Sequence, residues 1–198
     1  MELYRQHGFD QTTVAEIAAR AGLTERTFFR YFSDKREVLF WGSGMLERFL
    51  VDKVVAASPG TAPIDAVTGA LEATAPQFEE RRDFARRRQN LIAGHTELKE
   101  RELIKLASLA TAIGAALRER GVPDQTASLA AEAGIAVFKS AFERWLDDDR
   151  ERDLAHHVRE SLGELRTVAS GAAPRRPRAR AGKGRHIRGA TRPRQRQR

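Results

Sequence analysis

The stretch GLTERTFFRYFSDK, residues 22–35, decides the fold. Three phenylalanines and a tyrosine stand among threonines, arginines and a lysine, within one tight turn and one short helix. A core helix has no use for so many cations and hydroxyls, and a surface helix has no use for so many rings. Helical periodicity separates the two sets. Phe28 and Phe32, four apart, share a face on which they can pack with Leu23 and Ile17, while Thr24, Arg26, Thr27 and Arg30 project outward. Just upstream, Thr13 and Glu16 form a Thr-x-x-Glu capping box. Val14, Ile17, Ala18 and Ala21 then follow i, i+3, i+4, i+7, and Gly22 stops the helix. Thr24 caps the next one. Two short helices joined by a glycine turn, the second carrying donors and cations on its outer face, make a helix-turn-helix. Those outward groups suit phosphates and base edges, and Tyr31 and Lys35 stand at the far end, where they can anchor phosphate oxygens.

The rest of the chain repeats the helical period and offers no segment of alternating apolar and polar residues. The expected class is all-α, with helices near residues 2–7, 14–21, 24–32, 35–57, 64–75, 76–93, 97–120, 125–147 and 150–169, nine in total. Ser33 or Asp34 can cap the fourth, which would carry Gly42 and Gly44 in its interior. Gly121-Val122-Pro123 ends the seventh. In the eighth, Leu129, Ala133, Ile135, Val137, Phe138, Ala141, Phe142, Trp145 and Leu146 cover most of the circumference. Such a helix needs cover on more than one side, and the simplest second cover is the same helix of another copy. Phe138, Phe142 and Trp145 are the expected interface residues, with a central helix of a monomeric bundle as the other reading.

Charge is divided unevenly. Eleven of the 35 Lys and Arg residues, and none of the 27 acids, lie in residues 172–198. That leaves 24 basic against 27 acidic groups, a net −3, for residues 1–171. The basic balance is therefore a property of the Arg-rich tail, which is expected to be disordered. There is no cysteine, hence no disulfide, thiolate zinc site or cysteine nucleophile. No run of eighteen apolar residues and no signal leader appears, so the expectation is a cytoplasmic protein without a membrane span. Nothing matches a phosphate-binding glycine loop, a Gly-x-Ser-x-Gly elbow or a His-Glu-x-x-His zinc helix, so no enzyme, metal or cofactor is assigned.

Residues 8–39, GFDQTTVAEIAARAGLTERTFFRYFSDKREVL, resemble the DNA-binding signature of the TetR (tetracycline repressor-like) family of bacterial regulators. The likeness lies in Gly-aromatic before Thr-Thr, an Ile-Ala pair, Ala-Gly-hydrophobic-Thr, Thr-hydrophobic-aromatic, a terminal Phe and Ser-x-Lys. RRRQNLIAGHTELKERELIKLASLA, residues 86–110, is similar to the corresponding region of actinobacterial members. The resemblance implies nine helices, with a DNA-binding head over residues 1–50 and an effector-binding, dimerising domain over 51–170, followed by the tail at 171–198. It implies DNA contacts from Thr13, Thr24, Arg26, Thr27, Phe29, Arg30, Tyr31 and Lys35, with Thr13 and Lys35 on phosphates. Phe29 stands where the family usually has tyrosine, which removes one hydroxyl contact; Tyr31 can supply it. The family's first helix has two further turns where MELYRQHG stands alone. The expectation is that either the translation start lies upstream or the head is loosened, with apolar surface around Val38, Trp41 and Met45 poorly covered.

The function implied is a ligand-responsive repressor: a homodimer on a pseudo-palindromic double-stranded operator, released by an effector that the sequence does not name. Two alternatives remain at this stage. One is a small-molecule-binding dimer with a crippled head, the other a nonspecific nucleic-acid binder acting through its tail. Arg81, Arg82, Arg86, Arg87 and Arg88 can receive an anionic effector such as a coenzyme A thioester, or form a solvated face balanced by Glu79, Glu80 and Asp83, with Asp83 and Arg87 spaced as a surface pair. His95 reads as a capping or loop residue.

Overall fold

Helix starts in this chain follow local chemistry. In the computed structural model, which describes residues 1–149 and 152–171, Thr13, Thr24 and Asp153 each accept a first-turn amide through the side chain, and Pro63 occupies the first turn of its helix, where no amide is needed. The helices are α1 (Glu2–His7), α2 (Val14–Arg20), α3 (Glu25–Tyr31), α4 (Ser43–Val55), α5 (Pro63–Glu72), α6 (Ala75–Glu79), α7 (Arg82–Gly94), α8 (Thr96–Glu119), α9 (Asp124–Asp147) and α10 (Leu154–Ala169), with a 3-10 turn at Glu37–Phe40. There is no strand among the described residues.

All nine expected helical segments are helical, and two of them are broken. The segment from residue 35 to 57 divides at Trp41 and Gly42, so Gly42 precedes α4 instead of lying inside a helix. Glycine is the poorest helix former after proline, and the break falls at it. Asp34 still does the expected capping: its Oδ1 accepts the Arg36 and Glu37 amides at 2.8 and 3.4 Å. The segment from 76 to 93 divides at Glu80 and Arg81 into α6 and α7. The break lets Glu79 reach across the bundle, where its Oε1 accepts Trp145 Nε1 and the Leu154 amide. The last helix starts at Leu154, not near residue 150, because Asp153 is its cap. Gly121, at φ 83, ends α8 before Pro123 as expected.

Two apolar clusters result. The larger joins Leu50 and Val54 of α4, Val67 and Leu71 of α5, Ile113 and Leu117 of α8, the buried face of α9 from Ala127 to Leu146, and Leu154 and Val158 of α10. Each such side chain contributes about 1.5–3 kcal/mol by leaving water. At its centre α9 and α5 approach so closely that a methyl group on Gly134 would overlap Val67 Cγ1. The smaller cluster joins Tyr4, Phe9, Leu39 and Phe40 to Ile92 of α7 and Leu98 of α8, and seats the N-terminal helices on the rest. Ile17 packs against this second cluster, while Leu23 is 42% exposed.

The covering of α9 bears on the expected interface residues. Trp145 is 0% and Phe138 8% exposed in the single chain, and Phe142 stacks edge-on against Phe78 at 5.5 Å. Phe78 of the protomer's own α6 packs against all three rings, burying Phe138 and Trp145 and leaving Phe142 half-buried. The outward face of α9 carries the exposed Leu129, Glu132, Ala136, Lys139 and Glu143, with Ala133 and Ser140 half-buried beside them; Leu129 is 72% exposed. The Arg-rich tail and the expectation of its disorder lie outside the described residues, save Gly171 in the turn after α10.

Candidate nucleic-acid interface and effector cavity

The helix-turn-helix is built by caps and one ring cluster. Thr13 Oγ1 accepts the Glu16 amide at 3.2 Å while Glu16 Oε2 accepts the Thr13 amide at 2.7 Å, closing the capping box. That amide bond, then the Thr13 hydroxyl, holds the Glu16 carboxyl below its ordinary value. Thr24 Oγ1 accepts the Thr27 amide at 3.2 Å and shares a hydrogen bond with the Thr27 hydroxyl at 3.0 Å. Phe28 is 2% exposed and packs on Phe32 at 5.1 Å, which fixes the roll of α3. Outside that core, Thr13, Thr24, Arg26, Phe29, Arg30 and Tyr31 are exposed and Thr27 is half-buried. Arg30 Nη2 donates to Tyr31 Oη at 3.1 Å and its guanidinium lies 4.9 Å from that ring's centre, so the pair is held together at the end of α3. Phe29 stands 54% exposed, an apolar ring on an otherwise polar face.

Lys35 is placed differently from the rest. Its ammonium donates to three backbone carbonyls, those of Phe9, Asp10 and Thr12, at 2.8, 3.0 and 3.2 Å, and sits 4.5 Å from the Phe9 ring centre. All three N–H groups are thereby used. Its own carbonyl accepts the Tyr4 hydroxyl at 2.9 Å, and burial, with the Asp34 charge, pushes that phenol up to about 12. Lys35 thus clasps α1, the loop before α2 and the segment after α3. A free ammonium aimed at phosphate, as the resemblance implies, is not what this conformation offers.

The N-terminal helices are tied to the body through polar contacts around the 3-10 turn. Glu37 accepts Arg101 Nε through Oε1 and Lys105 Nζ through Oε2, the latter at 3.0 Å. Burial works to raise the Glu37 carboxyl, but the hydrogen bonds and charges of Arg101 and Lys105 together hold it below its ordinary value. Arg88 Nε donates to the Leu39 carbonyl at 2.8 Å, its guanidinium covers the Phe40 ring at 4.8 Å, and its Nη1 reaches Glu102 at 3.3 Å. Burial lowers the Arg88 pKa, and Glu102 opposes that shift. His95, just before α8, lies 2.8 Å from the Leu91 carbonyl through Nδ1 and edge-on to Phe9 at 5.1 Å.

The arginine run has a role that sequence reasoning missed. Arg82 donates to the carbonyls of Trp145 and Asp148, and Arg86 to that of Leu146, so these two cap the C-terminal end of α9, where cations are favoured. With Arg88 in the joint, Arg81 and Arg87 are left beside Phe84 at an open surface hollow of ≈ 370 Å³. Helix-end carbonyls about 60 residues away in the chain leave no local mark in sequence. A second cavity of ≈ 280 Å³ lies between α4, α8 and α9, lined by Ser43, Leu46, Glu47, Glu102, Lys105, Leu106, Leu109 and Phe138 among others. Among the described residues no cluster of His, Asp and Glu could hold a metal ion, and no helix is long and apolar enough to cross a membrane.

Comparison with known proteins agrees at both ends of the chain. Residues 1–40 match the family described as bacterial regulatory proteins, tetR family, and residues 61–170 match the MftR C-terminal domain. The chain is 27% identical over 161 residues to MftR of Mycobacterium tuberculosis, whose name places it as a putative transcriptional regulator of mycofactocin biosynthesis; the match covers 75% of this chain and 77% of that protein. It is 32% identical over 73 residues to the HTH-type transcriptional regulator TcmR of Streptomyces glaucescens, covering 37% of this chain and 32% of TcmR. Among solved structures, Thermus thermophilus FadR, a TetR-family repressor in complex with lauroyl-CoA, aligns with a TM-score of 0.48 at 28% identity over 92% of this chain and 95% of that one. PfmR, a TetR-family regulator also from Thermus thermophilus, aligns with a TM-score of 0.43 at 23% identity over 83% and 92%. A helix-turn-helix at residues 14–31 in a chain matched at both ends by this family's domains leaves one assignment: the chain belongs to the TetR family of bacterial transcriptional regulators.

Proposed function

We propose that the chain is a repressor that holds a pseudo-palindromic operator as a homodimer and is released when a small molecule enters the cavity between α4, α8 and α9. One observation carries the reading: the exposed face of α3 gathers Arg26, Arg30 and Tyr31 on a helix otherwise fixed by Phe28, which is what a groove-reading element requires. Arg26 and Thr27, near the start of α3, are assigned to base edges, and Thr13, Thr24, Arg30 and Tyr31 to phosphates. Phe29 is assigned an apolar contact with a thymine methyl or the sugar edge. The division between head and body is placed at Trp41–Gly42, since Leu50 and Val54 of α4 belong to the large core. Residues 43–170, instead of 51–170, then carry effector binding and dimerisation, with the dimer formed across the outward face of α9 and the adjoining α10. The test is competitive binding of the full chain to its own promoter region against random duplex across a salt series. A preference for one palindrome supports the reading, and loss of that preference with Arg26→Ala places Arg26 on a base.

A further inference from the structure

The effector cavity and the joint that holds the head share two side chains. Lys105 and Glu102 both line the cavity. Lys105 also donates to Glu37 in the 3-10 turn, beside Arg101 on the same carboxylate. Glu102 also accepts Arg88 at 3.3 Å and Gln89 at 3.2 Å, and Arg88 in turn grips Leu39 and Phe40. Three cations therefore meet two carboxylates in this seam. The two ion pairs differ in what their loss would cost. Drawing Glu102 away would leave Arg88, whose side chain is 19% exposed, unpaired in the interior, and breaking a buried pair by taking one partner is strongly unfavourable. Drawing Lys105 away leaves Glu37 with Arg101 still in place.

We infer that the cavity takes a small molecule with an apolar body and a single anionic group, and that this group captures Lys105 from Glu37 and so slackens the head. The inference rests on the reading of this cavity as the effector site. Leu46, Leu106, Leu109 and Phe138 supply the wall for the apolar body. Glu47, the other carboxylate of the lining beside Glu102, makes no side-chain hydrogen bond or ion pair among the described residues. A cationic molecule would settle there without touching the seam, and a ligand that makes no differential contact with the two head positions shifts nothing.

The test uses 4-phenylbutyrate and 4-phenylbutylamine, which share ring and chain and differ in charge. Calorimetry measures their binding to the full chain, and amide exchange at Glu37–Phe40 reports the seam; neither readout involves DNA, so a failure here is distinct from a failure of the repressor reading. The carboxylate is expected to bind and to speed exchange at Glu37–Phe40, while the amine leaves that exchange unchanged. Lys105→Gln weakens the carboxylate about tenfold, the equivalent of one lost charge-assisted contact. Glu37→Gln tightens it, because Lys105 then has no internal competitor, and Arg101→Gln weakens it, because Glu37 then holds Lys105 alone; a purely structural Lys105 would show neither change. Thermal melts establish that each variant is folded, and the last two substitutions serve if Lys105→Gln does not fold. The inference is overturned if neither probe binds, if the amine speeds the exchange, or if Glu37→Gln leaves carboxylate binding unchanged or weaker.

Discussion

Trp145 Nε1 donates to Glu79 Oε1 at 2.5 Å, and the same oxygen accepts the Leu154 amide at 3.0 Å. One carboxylate thus joins the end of α6, the last turn of α9 and the first amide of α10. Trp145→Phe should lower stability by about 1–3 kcal/mol, because the carboxylate loses a buried donor, and a thermal melt reads this directly. Trp145→Glu should give aggregated or unfolded chain, since the position has no solvent to receive a charge. A soluble, folded monomer from Trp145→Glu would return Trp145 to the subunit interface.

The proposed dimer is tested on the outward face of α9. Ala133→Glu with Ala136→Glu places two like charges opposite their symmetry mates, and is expected to halve the mass measured by light scattering without lowering the melting temperature of the protomer. A dimer of unchanged mass would move the interface away from α9.

Lys35→Ala should act on the stability of the head. Three carbonyls lose a charged donor together, at about 1–3 kcal/mol or more, so amide exchange should rise across α1 and the loop before α2. If instead the folded head is unchanged and the salt slope of DNA binding becomes shallower by about one unit, Lys35 binds a phosphate after all.

The turn-helix pattern, the capping box, Asp34 as a cap and the termination at Gly121 are all legible in the sequence because each depends on residues within four positions of one another. The break before α4 is half legible: Gly42 is visible, but nothing local tells a glycine tolerated within a helix from one that sets the helix's boundary. What stays hidden depends on distant partners. The apolar girdle of α9 calls for two covers, but sequence does not show that α6, with Phe78 and Glu79, supplies one of them. Helical phase puts Thr24, Arg26 and Arg30 outward as found, with Thr27 half-buried; Lys35 escapes because its partners are carbonyls 23 to 26 residues upstream, and any residue type can offer a carbonyl.

Acid should loosen the head through Glu37. Its carboxyl is held below its ordinary value in the folded chain, so the bridge to Arg101 and Lys105 is fully present above the ordinary carboxylate range and is lost as pH falls through the lowered folded value. Protection of the Glu37–Phe40 amides relative to their intrinsic exchange should therefore fall as pH drops below the ordinary carboxylate range, and Glu37→Gln should flatten that fall. A profile unaltered by the substitution would assign the acid sensitivity to another carboxylate, with Asp34, held low chiefly by its Arg36 hydrogen bond, as the nearest.

The most direct measurement is binding of the full chain to its own promoter region and to random duplex of equal length, at matched salt, with Arg26→Ala and Tyr31→Phe alongside. The account predicts a site with pseudo-twofold symmetry whose half-sites lie about 34–36 Å or somewhat more apart, bound about a thousandfold or more above random sequence. Arg26→Ala should alter the preference among sites, while Tyr31→Phe weakens all sequences alike. Equal affinity for promoter and random duplex, in the wild-type chain, would contradict it.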